Sequence, residues 1–102
     1  MNDKYILELK KLILETLTNR PDIKVYLFGS RAKSLSRNTS DVDIALDSQQ
    51  SISNQLIVML SEKIEESHIP YHVDIVNLTT LNETLKTKFL KGAIQWKDSQ
   101  KD

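Results

Sequence analysis

Residues 25–46 read VYLFGSRAKSLSRNTSDVDIAL, and two features of that stretch decide the fold. A Gly29-Ser30 pair closes one apolar run, and eleven residues beyond Ser30 a second run opens with Asp41-Val42-Asp43. Side chains alternate along a strand, so Asp41 and Asp43 share one face while Val42 and Ile44 point to the other. Like charges so placed repel, and the arrangement calls for a compensating partner.

The rest of the chain narrows what that partner can be. At 102 residues it is read as a single domain, residues 1–102, with one modest core and no room for a separate substrate domain. Fourteen acidic and fourteen basic residues cancel, so there is no general electrostatic drive towards nucleic acid or anionic membrane, and neither is expected as a direct partner. Cysteine is absent, which removes disulfides, thiolate zinc sites and cysteine nucleophiles together. No apolar run approaches the roughly 20 residues of a membrane helix, and MNDKYILELKK lacks the continuous apolar core of a secretory signal. A cytoplasmic α/β domain is the expectation.

Hydrophobic periodicity places the elements. Ile6, Leu9, Ile13 and Leu17 recur at helical spacing, with Asn2 or Asp3 as N-cap and Arg20-Pro21-Asp22 as the stop. Residues 23–28 and 42–46 read as strands separated by the polar loop SLSRNTS. Leu56, Met59, Leu60 and Ile64 mark a second helix over about residues 53–67, and YHVDIVNL at residues 71–78 a third strand. Thr80 and Glu83 fit a capping box for a third helix carrying Leu85, Phe89 and Leu90, with Gly92 as its C-cap. Residues 93–96 read as a short edge strand and 97–102 as a frayed polar tail. The fold class is α/β (α+β), a small mixed sheet flanked by helices.

This order has a geometric consequence. For Gly29-Ser30 to meet Asp41, the first two strands must run antiparallel. The crossover helix then makes the third strand parallel to the second. Asp74, bracketed by Val73 and Ile75, thereby falls beside Asp41 and Asp43, and three carboxylates converge. Such a cluster needs a cation, a shared proton or abundant water. Mg²⁺ is held by one or two carboxylates plus substrate phosphates, and paired ions can serve both the attacking and the leaving oxygen of a displacement. A Gly-Ser turn at the same mouth offers backbone N–H groups and a hydroxyl to phosphate oxygens.

With those residues in view, GSRAKSLSRNTSDVD resembles the G-S-x10-D-x-D pattern of the polymerase-β-like nucleotidyltransferase superfamily, with Asp74 as the third aspartate. The chain is similar to the group's minimal nucleotidyltransferases, the MNT or MntA-like antitoxins, over about residues 25–96. It departs from them at Ser34, where the family often has glycine. The resemblance implies a polymerase-β-like core in which Gly29 and Ser30, with Arg31, contact the phosphates of ATP. It implies that Asp41, Asp43 and Asp74 hold Mg²⁺ or Mn²⁺, Asp74 also helping to deprotonate the acceptor hydroxyl. Members of the group act as antitoxins of a HEPN-domain ribonuclease toxin, some by transferring AMP to one of its tyrosines. The alternative is a non-catalytic antitoxin that neutralises the partner by occlusion. Transfer to a small molecule such as an aminoglycoside would need an acceptor domain for which the chain has no room.

Plainer readings stand beside these. Asp41 alone, after Ser40, reads as turn chemistry, and Lys33 and Arg37 as a solvated loop. His68 and His72 read as rim residues rather than metal ligands. Trp96 reads as an edge-strand core residue and not a base-stacking platform.

Overall fold

Residues 3–29 and 41–100 are described by the computed structural model. They form α1 (Lys4–Thr16), β1 (Lys24–Phe28), β2 (Asp41–Asp47), α2 (Asn54–Glu65), β3 (His72–Asn77), a 3-10 turn (Leu78–Thr80), α3 (Glu83–Phe89) and β4 (Ile94–Lys97). The four strands make one mixed sheet in the order β3-β2-β1-β4. β1 runs antiparallel to both β2 and β4, and β2 runs parallel to β3.

Each helix begins where a side chain takes up backbone donors that the helix cannot satisfy itself. Asp3 accepts from the N–H groups of Tyr5 and Ile6, and Tyr71, just ahead of β3, hydrogen-bonds the other oxygen of the same carboxylate. Leu9, Ile13 and Leu17 are fully buried, as the helical spacing predicts. On α2, capped by Ser53, the buried stripe is Leu60 and Ile64 with Leu56 and Ile57 packed alongside. Met59 differs from the sequence expectation and is 40% exposed, because it lies about 200° around the helix from Ile57.

The helical stripes of α1 and α2 meet one face of the sheet, where Val25, Leu27, Val42, Ile44 and Leu46 are buried and Val73, Ile75 and Trp96 pack against them. Trp96 thus takes the core role read for it. α3 sits on the opposite face, where the Phe89 ring packs at a tilt against Phe28 at 4.6 Å between ring centroids and Lys86 Nζ meets Asp47 Oδ1 at 3.0 Å. It starts later than the Thr80–Glu83 capping box predicts. Thr80 is taken up by the 3-10 turn capped by Asn77, and Asn82 caps α3 by accepting from Leu85 N–H. Leu90 is the C-cap, and Gly92 (φ 81°) takes the left-handed position of the turn that Ala93 N–H closes onto the Leu90 carbonyl.

Within the stretch read as a polar tail, the described residues 97–100 make tertiary contacts, and residues 101–102 lie outside the described residues. Lys97 lies within β4 and its Nζ donates to the carbonyls of Arg20, Pro21 and Ile23, while Gln100 N–H bonds the Pro21 carbonyl at 2.8 Å. The same corner holds Asp22, which accepts from Arg20 Nε and Nη2 at 3.0 and 2.9 Å and also from the Ser48 hydroxyl. The Arg20 hydrogen bonds lead in holding the Asp22 carboxyl well below the usual carboxylate range, against an opposing push from burial.

A depressed folded-state pKa contributes stability that is complete above the unfolded aspartate value near 3.9 and is lost as pH falls towards the folded value. Asp22→Asn should therefore lower stability at neutral pH by roughly 1–3 kcal/mol. It should also flatten the loss of Tm below about pH 4, both read from thermal melts across pH 2–7.

Candidate active site

The site is assembled by strand register. Antiparallel pairing sets Phe28 opposite Asp43, so the chain leaves β1 at Gly29 directly beside that carboxylate. Parallel pairing sets Asp43 opposite Asp74 and Asp41 opposite His72. All four of these side chains share the face turned away from the α1 and α2 core, since Val42, Ile44, Val73 and Ile75 occupy the other. Strand register thus puts Asp41, Asp43 and Asp74 on one face at one end of the sheet, with Asp43 directly beside Asp74. Ser30, Arg31, Lys33, Ser34 and Arg37 lie outside the described residues.

Gly29 is required twice over. Its φ of 79° is one that L side chains rarely adopt, and a Cβ placed there would lie 2.6 Å from Asp43 Oδ2. The absent side chain leaves the turn backbone and the carboxylate in close approach. That combination suits a ligand carrying both phosphate oxygens and a cation.

Asp43 is half-buried, whereas Asp41 and Asp74 are exposed. Burial first, then the charges of Asp74 and Asp41, push the Asp43 carboxyl up, and His72 opposes them. The neighbouring acids therefore raise the cost of ionising Asp43, the opposite of what a structural ion pair does. Among the described residues no group of three or more His, Cys, Asp or Glu side chains is arranged to hold a metal ion by itself. The donor chemistry fits a hard divalent cation whose shell is completed by a phosphorylated substrate, the usual manner for Mg²⁺.

His72 is the residue that sequence reading undervalued. It stands at the rim, as read, but its Nε2 is 3.0 Å from Asp74 Oδ1. The available signal was the His-x-Asp spacing, which puts both side chains on one face of β3. His68 is exposed and its neighbourhood carries no such contact among those described.

A glycine turn set against strand carboxylates at one end of a mixed sheet is a layout able to receive a phosphorylated substrate. The chain belongs to the family described as Polymerase beta, Nucleotidyltransferase, which matches residues 11–101. It is 30% identical over 95 residues to a Haemophilus influenzae protein named "Probable protein adenylyltransferase MntA", spanning 93% of this chain and 82% of the relative. Among solved structures it resembles a chain of a toxin–antitoxin complex crystallised with AMP-PNP, at a TM-score of 0.68 and 26% identity over 89% of this chain and 74% of that one. It also resembles a chain of the complex between a tri-AMPylated Shewanella oneidensis HEPN toxin and an MNT antitoxin, at a TM-score of 0.62 and 25% identity, covering 92% and 73%.

Gly29→Ala should cost about 1–2 kcal/mol from the left-handed backbone alone. Because the new Cβ also displaces Asp43, metal-dependent nucleotide binding should fall further than the melting temperature suggests; calorimetry with and without a chelator reads the difference. Asp43→Asn should behave in the opposite sense for stability. A raised folded pKa makes the ionised acid a penalty at neutral pH, so the variant should melt at the same or a higher temperature in metal-free buffer. At a pH low enough to protonate Asp43 the gain should vanish. Marked destabilisation at neutral pH would assign Asp43 a structural ion-pair role instead.

Proposed function

We propose that this protein is a metal-dependent adenylyltransferase acting in the cytoplasm as the antitoxin of a HEPN-domain toxin, one of whose tyrosines receives AMP from ATP. The observation that carries the reading is the pairing of Asp43 with Asp74 across β2 and β3, with Gly29 clearing space against Asp43. The protein adenylyltransferase and the antitoxin complexes among its relatives support the choice of donor and partner.

Asp41 and Asp43, with Asp74, would hold Mg²⁺ or Mn²⁺ together with the phosphates of ATP. Bound there, the metal would offset the mutual repulsion of the carboxylates and draw charge from the phosphoryl oxygens. Gly29 keeps side-chain bulk away from the phosphates, and Ser30 and Arg31 contact them in this reading. Asp74, exposed at the β3 edge of the cluster, is open to an acceptor arriving from solvent. The tyrosine oxygen bonds to the α-phosphorus, the bond from that phosphorus to pyrophosphate breaks, and the hydroxyl proton passes to Asp74. Phe28 and Phe89 wall the opposite side of Asp43 from Asp74.

Intact-mass spectrometry of the protein co-expressed with its partner toxin tests this directly. The toxin should gain the mass of one or more AMP units and lose ribonuclease activity, and Asp41→Asn/Asp43→Asn should prevent both. A toxin neutralised without added mass, equally well by the double variant, would replace transfer with occlusion.

A further inference from the structure

Asp74 is a loosely anchored member of the carboxylate cluster: its side chain is 58% exposed, and its register partner Asp43 carries the same charge. Left alone, the Asp74 carboxylate would sample its rotamers and swing away from Asp43. One contact opposes that swing, the 3.0 Å hydrogen bond between Asp74 Oδ1 and His72 Nε2. An ionised carboxylate only accepts, so Nε2 carries the hydrogen and donates it. The ring is well placed for this, because His72 lies two residues before Asp74 on the same face of β3 and opposite Asp41 in the neighbouring strand.

We propose that His72 is a positioning residue of the transfer site, which fixes Oδ1 of Asp74 and thereby presents Oδ2 to the metal and to the acceptor hydroxyl. This deepens the adenylyltransferase reading and rests on it. A purely stabilising role is a poor account of the contact. With the two side chains 68% and 58% exposed, such a pair adds little to folding. A hydrogen bond to a metal-binding carboxylate, by contrast, typically alters metal affinity or activity by about 10–100-fold.

The test compares wild type, His72→Ala and His72→Gln in the full chain, the glutamine amide being able to donate where the imidazole does. Mn²⁺ affinity is measured with AMP-PNP present, alongside thermal melting and the kcat and KM for ATP with the partner toxin. His72→Ala should weaken Mn²⁺ binding and lower kcat by about 10-fold or more, with KM for ATP and the melt little changed, and His72→Gln should recover most of the loss. Wild-type Mn²⁺ affinity and kcat in His72→Ala would overturn the proposal, as would equal defects in both variants accompanied by lower melting temperatures. If wild type binds Mn²⁺ with AMP-PNP yet modifies no partner, the adenylyltransferase reading fails while the Mn²⁺ affinities still decide the role of His72. Absence of Mn²⁺ binding by wild type would overturn both.

Discussion

Burial of Val42, Ile44 and Leu46 on one face of β2 is the constraint from which the site follows. Strand side chains have a period of two, so a slip of one residue would drive Asp41, Asp43 and Asp47 into the core and lift three aliphatic side chains into water. Neither is tolerable beneath α1 and α2. The apolar residues therefore fix the register, and the register fixes the carboxylates, although the two sets never share a face. Val73 and Ile75 do the same for Asp74 on β3. The mutual repulsion of the acids is imposed by a core that is indifferent to it.

Other acids on the described surface show what a structural carboxylate looks like in this protein. Asp22 is gripped by Arg20 and Ser48, and Asp47 meets Lys86 with both side chains only 14% exposed. Each has a cationic partner at hydrogen-bonding distance. Asp43 instead has Asp74 and Asp41 as charged neighbours among the described residues, opposed by His72. The contrast at Asp43 supports the binding role proposed for the site.

Much of this was legible before any coordinates. Alternation in DVDIAL and HVDIVN gave the strand faces, and bringing Gly29-Ser30 to Asp41 required the first two strands to run antiparallel. Less legible were contacts that depend on three-dimensional proximity. The three backbone carbonyls around Lys97 Nζ come from the α1–β1 connection, some 75 residues earlier, and nothing local in WKDSQKD announces them. The start of α3 was misplaced because Thr80-x-x-Glu83 is a sound cap by itself, but Asn77 had already drawn Thr79 and Thr80 into a 3-10 turn. Met59 was misassigned because five consecutive apolar residues of α2, Leu56 to Leu60, leave the helical phase ambiguous until the sheet selects one.

α3 has no fully buried residue and spans only Glu83–Phe89. A helix of that length is marginal by itself, so its persistence rests on the Phe28–Phe89 ring contact and the Lys86–Asp47 ion pair. Those two attachments lie along the site face of the sheet, with Phe28 beside Asp43. Resistance to local opening should thus be graded, amide protons of β1 and β2 exchanging slowest and those of α3 well before them. One wall of the carboxylate cluster belongs to the softer unit, and the floor to the most durable one.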